Sequence, residues 1–328
     1  MTVQFAADLR PGRFCPTDYH LTDADFDQKQ AYSADCFYIA GGLYGNPFAL
    51  RKLCSMAAEE NAFLVFNGDM HWFDLDPAFF AEIEEETAKA GRLALLGNVE
   101  QELLRSEENS AGCGCAYPSC VSDEAVARSN ALHALLKEML RKNPELSVQM
   151  QSRKRAAVLE LPFEGNCRYI AVTHGDEKSL GGWDCGYDAL SNPARQAELD
   201  KWLFAHGFCA LSCSHTCCAA ALRLPHGAVI NNGAAGLSNF NGKEGCFGVV
   251  TRIAKTPHPA ALYRTEFSRV FVEALPIRYD NEAFLQWFDE IWTADSPAAL
   301  SYRERITEGL SGMRIADADL GGFSVCTV

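Results

Sequence analysis

Five apolar runs of strand length in this chain end on side chains that can do chemistry. Leu64-Val65-Phe66-Asn67-Gly68 delivers Asp69, Leu93 to Leu96 runs into Gly97-Asn98, and Arg168 to Thr173 ends on His174. Cys209 to Cys213 leads to Ser214-His215-Thr216-Cys217, and the earliest run, Cys36 to Ala40, opens into Gly41-Gly42-Leu43-Tyr44. In open α/β sheets functional groups lie beyond the carboxyl ends of the strands, because side chains from several strands converge there on one crevice. A carboxylate, an amide, two imidazoles, a phenol and a thiol would then share one edge. A lone histidine at a strand end is more often structural, but two of them arriving with Asp69 and Asn98 make a candidate site.

The elements that must place these groups follow a strand, turn, helix rhythm. Pro47 to about Asn61, Pro77 to Ala90 and Pro193 to His206 read as helices, the first with its proline well placed at the first position. Residues 1 to 32 are polar and mixed, with an acidic patch near Asp23 to Asp27, and read as an N-terminal arm. From Gln101 to Leu159 the pattern turns helical, with Asp123 to Lys142 the clearest helix, broken by a glycine- and cysteine-rich loop from Gly112 to Cys120. Strands resume at Ala157 to Pro162. After His215 the runs Ala219 to Leu224, Ala228 to Asn231, Cys246 to Ile253, Ala261 to Arg264 and Ser268 to Leu275 suggest a second, mostly antiparallel sheet. Helices at about Asn281 to Trp292 and Ala298 to Gly309 close the chain.

With 328 residues, 48% of them apolar, the chain can fill a large core. Its formal charge of −14 opposes nucleic acid and anionic membranes as partners. No apolar run approaches the ~18 residues of a spanning helix, and no export signal opens the sequence, so the expectation is a cytoplasmic protein. The 14 cysteines are then mostly thiols rather than a disulfide scaffold.

The strand-end sequences, taken in order, resemble the calcineurin-like metallophosphoesterase family. Its motifs D-x-H, G-D, G-N-H-[DE], a lone H and G-H-x-H find counterparts in Gly42-Leu43-Tyr44, Gly68-Asp69, Gly97-Asn98-Val99-Glu100, His174 and Ser214-His215-Thr216-Cys217. Ile230-Asn231-Asn232-Gly233 is similar to the N-x-G stretch that follows, and the resemblance spans roughly residues 36 to 255. It implies an α/β fold, an αββα four-layer sandwich of the metallo-dependent phosphatase type with a helical insertion. The arm would occupy 1–32, the phosphoesterase-like domain 33–275 with the insertion at 101–156, and a helical extension of the same domain 276–328.

The resemblance also implies a ligand set. One family metal site is complete in Asp69, Asn98, His174 and His215, and two oxygens with two imidazoles suit a divalent ion such as Mn, Fe or Zn. The other site keeps only Asp69, with Gly42, Tyr44 and Cys217 in place of its usual ligands. Tyr44 as phenolate and Cys217 as thiolate are the candidate donors for a second ion. The histidine expected to help protonate the leaving group is Val99, which carries no proton, and His71 is the candidate substitute, against a plain loop histidine. The implied activity is hydrolysis of a small-molecule or protein phosphomonoester or phosphodiester. The alternatives are an inactive binding or scaffold protein on the same fold, and a nucleotide-cofactor oxidoreductase suggested by Ala40-x-Gly42-x-x-Gly45. Cys113, Cys115 and Cys120 are read as plain thiols, with a metal knot or a redox-sensitive lid as alternatives.

Overall fold

A computed structural model describes residues 10–106 and 110–326. The N-terminal stretch forms short 3₁₀ turns between Thr17 and Gln30 and then a two-residue strand, β1 (Tyr32–Ser33). It is tied down: Tyr19 is fully buried, its hydroxyl donates to Glu102 at 2.8 Å, and its carbonyl accepts from the Leu180 N–H.

Strand β2 (Cys36–Ala40) is buried along its whole length, which is why it reads as a continuous apolar run rather than an alternation. Phe37 and Ile39 face one apolar cluster while Cys36, Tyr38 and Ala40 face another, as a two-residue period requires. Helix α1 (Pro47–Glu59) begins where Asn46 accepts from the Phe48 and Ala49 N–H groups, a cap worth about 1 kcal/mol. There follow β3 (Phe63–Phe66), α2 (Pro77–Thr87) capped by Asp76, β4 (Arg92–Ala94) and α3 (Asn98–Leu104). Helix α4 (Asp123–Lys142) covers the predicted span, with Asp123 and Glu124 at its start and Arg141 and Lys142 at its end, each sign opposing the helix dipole.

Strands β5 (Ala156–Phe163) and β6 (Asn166–Thr173) form a hairpin. Short α5 (Tyr187–Leu190) precedes α6 (Pro193–His206), which stops at Gly207 in the left-handed region, and β7 (Phe208–Cys213) follows. Then come β8 (Ala219–Leu224), β9 (Gly227–Asn232), β10 (Gly248–Ala254), β11 (Tyr263–Phe267), β12 (Val270–Ile277), α7 (Asn281–Ile291), α8 (Pro297–Glu308) and β13 (Ser324–Val325).

The strands form two mixed sheets, one in the order β1-β5-β6-β7-β9-β8 and the other β13-β11-β12-β10-β2-β3-β4. The runs expected to form a separate antiparallel sheet after His215 join these two sheets instead. The β8–β9 hairpin joins the first sheet because β9 pairs parallel with β7, and β10 to β12 join the second because β10 pairs antiparallel with β2. Residue alternation identifies a strand but carries nothing about its partner, so these runs were legible as strands and not as sheets.

Phe37, Ile39, Val65, Val249 and Ile253 of the second sheet share a cluster with Leu159, Ile170, Val172 and Ile230 of the first. Leu50 and Leu53 of α1 pack with Tyr38, Leu64 and Phe66. Leu199 and Leu203 of α6 pack with Val158, Ala171 and Leu211. A further cluster joins α4, through Leu132, Leu136 and Leu140, to Phe284 and Phe288 of α7 and Ile306 of α8, and it reaches Tyr44, Trp72 and Cys115 at the strand ends. No helix among the described residues is long and apolar enough to cross a membrane.

Candidate metal centre

The turn after β3 is built for close approach. Asp69 adopts a left-handed φ of 53°, uncommon for a residue with a side chain and a form of strain found at functional sites. Glu100, fully buried in α3, holds it there: its carboxylate accepts from the N–H groups of Asp69 at 2.9 Å, Met70 at 2.8 Å and Gly97 at 2.8 Å. A Cβ on Gly97 would lie 2.4 Å from Asp69 Oδ1, so this position accepts only glycine. The Val99 N–H donates to that same oxygen at 3.2 Å. Sequence reasoning left Glu100 without a role. Its position three residues after Gly97, a capping-box spacing, was the available signal.

Four predicted ligands meet. His174 Nε2 lies 3.0 Å from Asn98 Oδ1, 3.2 Å from Asp69 Oδ2 and 3.2 Å from His215 Nδ1. Ligand atoms of Asp69, His174 and His215 all fall within 4.8 Å of one another, and Asp69, Asn98, His174 and His215 are all buried.

Each group is aimed by a partner on its far side. The His174 Nδ1–H donates to the Asn67 carbonyl at 2.9 Å, beside Ser214 Oγ at 3.1 Å. The Asn98 amide donates to the Cys113 carbonyl at 2.8 Å and approaches Cys115 Sγ at 3.4 Å. His215 Nε2–H donates to the Cys115 carbonyl at 3.2 Å. The atoms turned inward are therefore lone pairs: two imidazole nitrogens, an amide oxygen and a carboxylate oxygen. With both rings neutral, no proton lies between them, and buried acceptors facing one another are costly. A cation at their meeting point would be met by all four, so the residues fit a divalent ion.

The electrostatics call for positive charge at this point. Burial opposes charge on Asp69, but the facing imidazoles of His174 and His215 hold its carboxyl below the usual range. Burial also disfavours charge on His174, and Asp69 outweighs it to raise that imidazole, whereas burial and the neighbouring His174 push His215 down to about 4.

Tyr44 and Cys217 are also brought together, both in left-handed turns at φ 55° and 57°. They hydrogen-bond to each other, and Cys217 does not join the Asp69, His174 and His215 cluster. Burial raises the Tyr44 phenol well above its ordinary value and the Cys217 thiol to about 12, so at neutral pH both keep their protons. The Tyr44 ring lies 3.1 to 3.2 Å from where a Cβ on Gly42 would project and so fills the space of a side chain at that position.

The structure does not bring His71 to the site. Its Nδ1 is 2.6 Å from Asp74, its Nε2 2.9 Å from Glu84, and its ring stacks on Phe80 at 3.6 Å. Burial opposes its charge, yet Asp74 and Glu84 raise it to about 9, which makes it a buried cation between two carboxylates rather than a proton donor to substrate. Strand alternation, which suggested that residues 69 and 71 share a face, fails because β3 ends at Phe66.

Cys113 and Cys115 are buried while Cys120 is exposed, and no metal cluster among the described residues includes them. The loop acts instead through its backbone, since the Cys113 and Cys115 carbonyls orient Asn98 and His215. The N-x-G stretch is likewise structural: Asn231 donates to Thr216 Oγ1 at 3.0 Å, and Asn232 donates to the Gly41 and Val249 carbonyls.

Above Asp69 and His215 opens a cavity of about 180 Å³ whose walls include Trp72, Tyr117, Trp183 and Tyr302. Sequence reasoning assigned no role to Tyr117, Trp183 or Tyr302, which arrive from the insertion, the loop after His174 and α8.

No protein-family model matches the chain, and no curated protein matches it. Among solved structures it is similar in fold to a hypothetical protein of Pyrococcus horikoshii, with a TM-score of 0.55 at 12% identity over 85% of this chain and 99% of that one. A metallophosphoesterase from Sphaerobacter thermophilus gives a TM-score of 0.52 at 13% identity over 84% of this chain and 100% of that one. The shared feature is the mixed α/β fold.

Proposed function

We propose that this protein is a metal-dependent phosphoesterase that hydrolyses a phosphomonoester or phosphodiester with one divalent ion, Mn, Fe or Zn, held by Asp69, Asn98, His174 and His215. The observation that carries the reading is the meeting of a carboxylate oxygen, an amide oxygen and two imidazole nitrogens at one buried point. The metallophosphoesterase neighbour supports it at the level of fold. We read the architecture as an αββα sandwich, supported by an apolar cluster shared by the two sheets and separate clusters under α1 and α6. In this reading residues 33–275 form the catalytic domain, 101–156 its insertion and 276–328 its helical extension. Free thiols at the described cysteines suit a reducing cytoplasm.

When bound, such an ion neutralises phosphoryl charge and makes water nucleophilic by lowering its pKa. The chain's own groups do the rest. Glu100 and Gly97 hold the Asp69 turn, the Asn67, Cys113 and Cys115 carbonyls hold the ligands in one tautomer and orientation, and the insertion closes the side of the cavity. Val99 stands where a proton-donating histidine is expected, and His71 is committed to Asp74 and Glu84. Neither supplies a proton, so a leaving group that departs as a stable anion or draws its proton from water suits the site.

Metal analysis after repletion with Mn, Fe or Zn, joined to hydrolysis of an aryl phosphate and its diester, tests this: about one equivalent retained and metal-dependent turnover are expected. An ion-free protein would overturn the reading. The Tyr44 ring filling the place beside Gly42 favours a second reading, a binding or scaffold protein on this fold, which predicts a retained ion without turnover.

A further inference from the structure

The cavity over the proposed metal site is unusual in its walls. Trp183 is fixed upright: its indole N–H donates to the Cys115 carbonyl at 2.8 Å, and its ring stands at 79° to His215 with centroids 5.3 Å apart. Tyr117 faces it at 5.9 Å and is tied by its hydroxyl to Ser129 at 3.1 Å. Both rings are only partly buried although their polar ends are held, so they offer preorganised aromatic surface at the mouth, where little entropy remains to be lost on binding.

The charge count is equally lopsided. Among the described residues lining the cavity the only carboxylate is Asp69, and no lysine or arginine is present. The Arg305 guanidinium, behind the wall, donates to the Ser238 and Cys217 carbonyls at 2.7 and 2.8 Å. A divalent ion against Asp69, with the Glu100 carboxylate buried behind the turn and held by three N–H groups, leaves a net charge of no more than about +1 in a low-dielectric pocket. A monoanion neutralises that charge. A dianion overshoots it, with no side-chain cation to take up the excess.

We infer that the substrate is a monoanionic phosphoester, a diester, carrying one flat aromatic group that seats against Trp183 and Tyr117; this rests on the phosphoesterase reading above. An aryl oxide is also a leaving group that departs without a proton donor, and neither Val99 nor His71 supplies one.

Three non-hydrolysable probes separate the terms by calorimetry on the intact, Mn-loaded protein at a pH above the second ionisation of the phosphonate. They are methyl(phenyl)phosphinate, a monoanion with a ring, dimethylphosphinate, a monoanion without one, and phenylphosphonate, a dianion with one. The first should bind about tenfold more tightly than either of the others. Trp183→Leu should erase its advantage over dimethylphosphinate while Trp183→Phe, which keeps a ring face, retains most of it. Equal binding of the two phosphinates, tighter binding of phenylphosphonate, or an undiminished ring preference in Trp183→Leu would overturn the inference and leave the metal site standing. Titrations with Mn, Fe and Zn alone precede these measurements, and failure to bind any of them overturns both readings.

Discussion

The two sides of Asp69 share a backbone design and differ in what the backbone delivers. On one side Asn98, His174 and His215 turn an amide oxygen and two ring nitrogens inward because carbonyls of Asn67, Cys113 and Cys115 accept their hydrogen bonds on the far side. On the other, Tyr44 and Cys217 sit in turns as strained as that of Asp69, but they bond to each other and keep their protons. The difference teaches that a strained strand-end turn makes a place for a ligand, whereas partners behind the side chain decide whether that place holds a lone pair or a closed contact.

The most damaging change to that contrast is Asp69→Ala. It removes the only carboxylate in the ligand set, and ion affinity measured by calorimetry should fall by more than the roughly 10–100-fold that loss of a supporting residue costs. Turnover should fall with it. Glu100→Gln comes next. One of the oxygens that hold the Asp69, Met70 and Gly97 N–H groups becomes a donor, so affinity should drop about 10–100-fold with Asp69 itself intact. Wild-type affinity in Glu100→Gln would show that the turn holds itself.

The insertion side of the site should carry a pH signature. Burial in α4 pushes His133 down to about 4, although its N–H bonds the Val99 carbonyl at 3.3 Å. The unfolded imidazole titrates near 6.5, so between the two values the unfolded chain binds more protons. The neutral histidine's contribution is thus complete above pH ~6.5 and is lost as pH falls toward about 4, with a total on the order of 3 kcal/mol. His133→Gln should flatten that part of the stability profile followed by denaturant unfolding, and an unchanged slope would place the effect elsewhere.

The smallest effect belongs to the closed side. Tyr44→Phe removes one hydrogen bond, about 1 kcal/mol, and should leave ion content unchanged. The sharper version installs the D-x-H and H-x-H residues of the metallophosphoesterase motifs with G42D, Y44H and C217H together. If the closed side lacks only its ligands, metal analysis should then find a second equivalent, and a triple variant with unchanged stoichiometry would show that the insertion has reshaped the place itself.

Much of this was legible in the chain. Pro47, Asp123, Lys142, Pro193 and His206 bound their helices as read, because caps and prolines are local signals. The strands after His215 were read as strands and assigned to the wrong sheet, since register partners are set by tertiary packing. His71 looked available because period-two alternation was extended past Phe66, where the strand had already ended in a turn. Glu100 was visible as a residue but its task was not, because its partners are backbone N–H groups with no identity in sequence.

By itself, then, the sequence determined which strands end in Asp69, Asn98, His174 and His215, and in what order, since apolar runs and the polar residues that stop them are written residue by residue. Only the tertiary structure decided that those four present lone pairs to one point while Tyr44, Cys217 and His71 do not. The direction of a polar side chain depends on what lies behind it, and here that is the carbonyls of Asn67, Cys113 and Cys115, whose positions follow from the path of the chain and from no side chain of their own.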